Sequence, residues 1–355
     1  MRVGVFVRIF AAIILLSGVL ILLCSSAACE EVSPKEKIYS SLLASESQID
    51  LSEFELGKAE LIALIREILL ESPELFYVSE KITYSHNKNG QIFTLTPTYT
   101  ALGDDLDAQR KFYSDTIIML LDGLRESASE GERALYIHDT LAARFDYDTK
   151  EENYDAYSLF ADSRGVCQAY SLAFVALAHE VGLESKIITS DEMDHAWNIV
   201  QVDGEWYHID VTHDDPISNI SPSKTVLHQT FLRSDESMRD LGYYGYESPY
   251  VCDSKKFEYE GVGFIEKIKT AFTFQQNGCF ITTDGGTKYR LDLSESPALI
   301  PLPSGDIDGN SVADALDLNM ALTSTDFEKI RSIILSNIMK EVYLEEILKI
   351  RASRE

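Results

Sequence analysis

One cysteine, one histidine and one aspartate stand in this 355-residue chain in an order that suits thiol chemistry. Cys167 follows Arg164-Gly165-Val166 and opens a segment in which Val166, Tyr170, Ala173, Phe174, Leu177 and Val181 recur at helical spacing, with Gly182 placed to stop the helix. A thiol on the first turn of a helix sits at the positive end of the dipole, which favours the thiolate. The open N–H groups of that turn can also hold an oxyanion. Position alone leaves a packed structural cysteine as the competing role. Asp203-Gly204 separates two alternating segments, 195–202 and 205–211, and predicts a hairpin with a two-residue turn. In that register Val202 pairs with Glu205, His195 faces Thr212, and Trp197 faces Asp210. His195 and Asp210 are then diagonal neighbours on one face, roughly 7–8 Å apart along the backbone and within side-chain reach. A carboxylate that orients an imidazole, which draws a proton from a thiol, is the logic of a nucleophilic triad. His208 shares the strand face and is an alternative base. Zinc held by Cys167 and the histidines is a weaker alternative, because one cysteine with scattered histidines lacks metal-site spacing.

Longer motifs surround these residues: Gly165-Val166-Cys167-Gln168-Ala169-Tyr170-Ser171, Asp194-His195-Ala196-Trp197-Asn198, and Trp206-Tyr207-His208-Ile209-Asp210-Val211-Thr212. Together with Tyr154-Asp155-Ala156-Tyr157-Ser158 upstream and Phe231-Leu232-Arg233-Ser234-Asp235 downstream, this order resembles the bacterial transglutaminase-like superfamily. The resemblance is firm over 130–245 and looser upstream. It implies a papain-like α+β core in which a helix carrying the cysteine packs on an antiparallel sheet carrying histidine and aspartate. It also implies Cys167 as nucleophile, His195 as general base and then acid, and Asp210 as the orienting carboxylate. Gln168, Trp197 and Tyr157 are candidates for contacting substrate or the oxyanion. One departure stands out: His213 occupies a position where the family usually has tryptophan.

The elements that must position these residues follow from periodicity. Residues 34–71 read as helices, with Leu61, Ile62, Leu64, Ile65, Ile68 and Leu69 as a stripe closed by Pro73. Residues 75–99 read as short strands around Asn87-Lys88-Asn89-Gly90, residues 107–125 and 131–145 as helices, and 185–190 as a strand. The expected division is a signal peptide or membrane anchor over 1–28, a helical and mixed N-terminal region over 30–105, and the core over 106–245. A separate small β module over 246–303 and an acidic segment with a helix over 304–355 complete it.

Composition bounds the partners. With 58 acidic against 31 basic residues and a net charge of −27, the chain lacks the clustered cations that phosphate binding needs, so nucleic acid is excluded. Arg2 and Arg8 precede an apolar run, Ile9 to Leu23, and Ser26-Ala27-Ala28 offers small residues for cleavage, as in an export signal. Cys29 leaves a lipoprotein or an N-terminal anchor as the alternative, and with it membrane attachment through the N-terminus. Beyond that segment Cys167, Cys252 and Cys279 remain, an odd number that requires a free thiol. Cys252 and Cys279 fall in a β-rich stretch and can pair. Near the C-terminus Asp306, Asp308 and Asn310 stand at loop positions 1, 3 and 5, with Val312 at 7 and Asp317 at 12, which is calcium-loop spacing. Asp317 followed by Leu318 resembles a dockerin repeat, though only one loop is complete, so a cohesin-type scaffold is a remote partner. The expected function is an exported cysteine enzyme that acts on protein or peptide amides through a thioester and needs no cofactor for catalysis. The alternative is an inactive binding or structural module at the cell surface.

Overall fold

A computed structural model describes residues 32–216, 225–258, 268–275, 278–282, 288–293 and 297–302. The N-terminal segment 1–28 and the calcium-loop residues Asp306, Asp308, Asn310, Val312 and Asp317 lie outside the described residues. No helix among the described residues is long and apolar enough to cross a membrane. The chain divides into two units, one within 1–65 and 83–96, the other within 66–82 and from 97 onward.

In the first unit, α1 (Pro34–Leu43) starts at Ser33, whose hydroxyl accepts from the Glu36 N–H while the Glu36 carboxylate accepts from the Ser33 N–H. Strands β1 (Ile49–Asp50), β2 (Thr83–His86) and β3 (Ile92–Thr96) form an antiparallel sheet in the order β1-β3-β2. Ile38, Leu42, Ile49, Leu61 and Leu95 are buried. Helix α2 (Lys58–Glu71) begins in this unit and ends in the second. The expected N-terminal region, 30–105, is therefore divided after Ile65, after Ile82 and after Thr96.

The second unit is α+β. It contains α3 (Gly103–Leu121), α4 (Glu130–Arg144), β4 (Asp146–Tyr147), α5 (Ala156–Asp162), β5 (Arg164–Gly165) and α6 (Cys167–Glu180). These are followed by β6 (Ser185–Ser190), β7 (His195–Val202), β8 (Glu205–Ile209), α7 (Val211–Asp214) and α8 (Asp235–Asp240). Every residue of α6 from Ala169 to Ala178 is buried, so the apolar stripe seen in the sequence is part of a helix covered on all sides. It packs against α4, α5 and the antiparallel sheet β6-β7-β8. Gly182, at a φ of 75°, ends α6 as a left-handed residue after the cap Val181. The Asn198 side-chain N–H donates to the Ser171 carbonyl at 3.1 Å and ties β7 directly to α6.

The β7–β8 hairpin has the register set by its turn. Pairing runs from Val202↔Glu205 to Asn198↔Ile209, and Asp203 and Gly204 both take positive φ, at 53° and 83°. The ladder stops there, and this corrects the expected strand over 205–211. Asp210 leaves the sheet to cap α7, its carboxylate accepting the His213 N–H at 3.1 Å. The Trp197–Asp210 and His195–Thr212 pairs therefore do not form.

Four more antiparallel strands, β9 (Thr273–Gln275), β10 (Gly278–Thr282), β11 (Lys288–Asp292) and β12 (Ala298–Pro301), lie in the order β12-β11-β10-β9. They were expected to form a separate module over 246–303. Instead Phe272, Cys279, Ile281, Leu291 and Leu293 share one apolar core with α4 and α6. The proposed Cys252–Cys279 pair is also corrected. Both are free thiols: Cys279 lies in β10 within that core, and Cys252 packs with Trp197, Ile199 and Met238 in another cluster. Burial pushes the Cys252 thiol up to about 12 and the Cys279 thiol well above its ordinary value.

Gly165, just before α6, is a close-packing requirement. A Cβ there would lie 2.7 Å from the Ala169 Cβ and 2.8 Å from the Leu159 Cδ1. Gly165→Ala is expected to lower stability by about 1–3 kcal/mol. Gly57→Ala, with nothing within 4 Å of its added Cβ, is expected to stay within about 0.5 kcal/mol. Urea unfolding of both variants tests the contrast.

Candidate active site

Cys167 is the first residue of α6 and is half-buried. The N-cap Val166 supplies no side-chain acceptor, so the first N–H groups of the helix stay open beside the thiol. The first intrahelical bond starts only at Tyr170, whose N–H donates to the Val166 carbonyl at 3.1 Å. Asp194, at a φ of 49°, turns the chain into β7, and His195 opens that strand.

Two of the three side chains are bonded directly, and the third stands beside them. His195 Nε2 lies 2.6 Å from Asp210 Oδ2, and the Cys167 thiol is near enough to His195 to help raise its pKa. An ionised carboxylate only accepts, so Nε2 carries a proton and Nδ1 is the nitrogen left for sulfur. Asp210 is fully buried, and each of its oxygens is occupied. Oδ2 accepts from His195 and from the Tyr243 hydroxyl at 2.5 Å, and Oδ1 accepts from the Thr212 hydroxyl at 2.6 Å and the His213 N–H. Burial opposes ionisation, but the bonds from His195, Thr212 and Tyr243 outweigh it and hold the Asp210 carboxyl down at about 2. Burial likewise opposes an imidazolium at His195, and the bonds and charges of Asp210 and Cys167 overcome it, raising the ring to about 10. Burial and then the Asp210 charge push the Tyr243 phenol up, so it remains a donor.

His208 has a different task from the one first considered for it. It is buried; its Nδ1 accepts the Trp197 indole N–H at 2.9 Å, and its Nε2 donates to Asp235 at 3.0 Å. That tautomer is neutral, in keeping with a pKa lowered by burial and only partly restored by Asp235. Trp197, held in this way, stacks on His195 with ring centroids 5.8 Å apart and an interplanar angle of 22°. Its indole N–H is therefore engaged and is not offered to an oxyanion, and the ring forms a wall against the His195 imidazole. Tyr157 is also displaced from its expected place. Its ring stacks on Phe76 at 4.7 Å and meets Phe112 edge-on, and no contact links it to the triad among the described residues. Gln168 is half-buried at the second position of α6, next to the thiol. His213 contributes its backbone N–H to Asp210, while its ring bonds Gln229 at 3.3 Å and lies 6.1 Å from that of Tyr243.

Two partners escaped the sequence. Thr212 stands two residues after Asp210, a spacing at which a hydroxyl can bond an N-cap carboxylate, and this was legible in principle. Tyr243 lies thirty-three positions downstream, and only the fold brings it in.

Residues 119–211 match the family model of the transglutaminase-like superfamily. That transglutaminase-like segment runs from the end of α3 through Cys167 and His195 to just past Asp210. No curated protein matches the chain. Among solved structures, one described as a TGase is 14% identical, with a TM-score of 0.28, over 48% of this chain and 51% of its own. A proposed cysteine protease from Cytophaga hutchinsonii is 13% identical, with a TM-score of 0.25, over 37% and 61%. A proposed protease from Parabacteroides distasonis is 12% identical, with a TM-score of 0.24, over 42% and 34%. The chain thus spans between a third and about three fifths of the length of these structures.

The raised His195 and lowered Asp210 give a stability window of defined sign. His195 contributes stability that is complete below its unfolded value of about 6.5 and is lost as pH rises through about 10. Asp210 contributes stability present above about 3.9 and lost as pH falls toward about 2. The difference in urea midpoint between the wild-type chain and Asp210→Asn is expected to be largest between about pH 4 and 6.5 and to shrink on both sides. A difference that stays flat from acid to alkaline pH contradicts this assignment.

Proposed function

We propose that the chain is a transglutaminase-like cysteine enzyme that performs acyl transfer or hydrolysis on protein or peptide amides. The observation that carries this is the Asp210–His195 hydrogen bond set beside Cys167 at an uncapped helix N-terminus. The thiol proton passes to Nδ1 of His195 and Sγ bonds to the amide carbonyl carbon, placing negative charge on the carbonyl oxygen. The open N–H groups at the start of α6 are set to receive that charge. His195 then gives its proton to the departing nitrogen, the C–N bond breaks, and a thioester remains on Cys167. Water or an amine attacks the thioester, His195 takes the attacker's proton, and the thiolate leaves to be reprotonated. Water as acceptor gives deamidation or cleavage; a primary amine gives a crosslink or a modified side chain.

Asp210 keeps Nε2 protonated and stabilises the imidazolium, and Trp197 keeps the ring in plane. Gln168 is proposed as a substrate or oxyanion contact on its place beside the thiol. Export to the cell surface, by a cleaved signal or an N-terminal lipid or membrane anchor, rests on the pattern of Arg2, Arg8 and the apolar run that follows. A single calcium ion at Asp306, Asp308, Asn310, Val312 and Asp317 rests on their spacing, and cohesin docking through this one loop is a further proposal on the same ground.

The test incubates the full chain with a casein substrate, with and without a primary amine donor, and scores ammonia release, amine incorporation and new N-termini together. At least one product is expected, and Cys167→Ala is expected to reduce it by at least about 10³-fold. Equal turnover by Cys167→Ala, or no product in any arm from the folded wild-type chain, overturns the proposal.

A further inference from the structure

Away from the triad, two histidines and two aspartates form a buried knot. His138 and Asp139 come from α4, Asp214 closes α7, and His228 lies on the segment that follows; each is at most 3% exposed. All four ring nitrogens face oxygen acceptors. His138 Nε2 faces Asp214 Oδ2 at 3.3 Å. His228 Nδ1 faces the Ile268 carbonyl at 3.2 Å. The two remaining ring nitrogens, His138 Nδ1 and His228 Nε2, converge on a single oxygen. They lie 2.8 and 2.9 Å from Asp139 Oδ1, while Asp139 Oδ2 is taken by the Phe272 N–H at 2.6 Å.

With neutral rings, two of these four nitrogens are left unprotonated against an oxygen, which is repulsive. Two added protons or one divalent cation remove the conflict, and either balances the two carboxylates. The protons would place two imidazolium rings with centroids 5.2 Å apart inside an apolar core. A divalent cation supplies the same charge with the rings as its ligands.

We propose that His138 Nδ1, His228 Nε2 and Asp139 Oδ1 bind a divalent transition metal, with zinc as the best match. These donor atoms all lie within 4.8 Å of one another. Two imidazoles and one carboxylate suit zinc, whereas calcium and magnesium call for mainly oxygen ligands. The outer partners fit as well: a metal-bound histidine ordinarily donates its other N–H to a carboxylate or a carbonyl, and Asp214 and Ile268 supply one of each. Tetrahedral donors at about 2.0–2.1 Å from zinc stand about 3.3 Å apart, so the nitrogen–oxygen spacings open by a few tenths of an ångström on binding. The fourth position is left to a water.

The position suggests bracing, with no part in the chemistry. Asp214 ends the short helix α7 that Asp210 begins, and the Thr230 hydroxyl lies 2.8 Å from both the Asp210 carbonyl and Asp214 Oδ2. A metal here would fasten α4 and the 225–231 segment to the helix whose cap is the candidate triad aspartate.

The experiment dialyses the full chain against zinc in excess calcium, which occupies any oxygen-rich loop, and then measures bound zinc and the melting temperature. His228→Asn is carried in parallel, and a metal-free sample of the wild-type chain receives cobalt. The expected result is about one zinc per chain, absent from the variant. A rise in melting temperature of several degrees over the chelated chain is expected with it. Cobalt is expected to give the visible absorption of a four-coordinate centre, a readout that stands if the variant fails to fold. A wild-type chain that holds no zinc after dialysis, melts equally with zinc and chelator, and stays colourless with cobalt overturns the proposal.

Discussion

The ionised Asp210 carboxylate is the constraint around which the site is arranged. Removing a carboxylate from water costs several kcal/mol unless its oxygens are fully occupied. Here they accept from an imidazole, two hydroxyls and a backbone N–H. Each donor fixes one element: His195 the start of β7, Thr212 and His213 the helix α7, and Tyr243 the segment after α8. The hairpin, the helix and the later loop are thus held by one buried charge, and that charge sets the proton on His195.

Around it a second tier holds the rings themselves. Asp235 orients His208, His208 holds the Trp197 indole, and Trp197 lies against the His195 face. On the helix side, Asn198 bonds the Ser171 carbonyl and keeps β7 at a fixed distance from α6. The Tyr170 hydroxyl bonds Asp215 at 2.7 Å and fastens the end of α7 to the same helix. The thiol and the imidazole therefore sit on rigid, mutually bonded elements, and their alignment follows from packing that is complete elsewhere.

Much of this was legible in the sequence because it is local. The α6 periodicity, the Gly182 stop and the Asp203-Gly204 turn each depend on a few adjacent residues, and the hairpin register follows from the turn alone. Asp210 was legible as a partner of His195 but not in its backbone setting. Its preference for an N-cap ended the strand two residues earlier than alternation suggested. Tyr243 and the His138–Asp139–His228 knot join positions tens of residues apart, and no periodicity or spacing encodes such meetings. Cys252 and Cys279 misled for a related reason. Composition assigned both to one β-rich stretch, whereas the chain buries them in different apolar clusters.

The central claim is that His195 and Asp210 make Cys167 a reactive thiol, and alkylation measures that directly. The full chain is treated with iodoacetamide near pH 6, and labelling of Cys167 is followed by mass spectrometry, native and in denaturant. Native Cys167 is expected to label faster than the same residue in the unfolded chain, and His195→Gln is expected to remove the advantage. Native labelling no faster than denatured labelling, or labelling unchanged by His195→Gln, would contradict it.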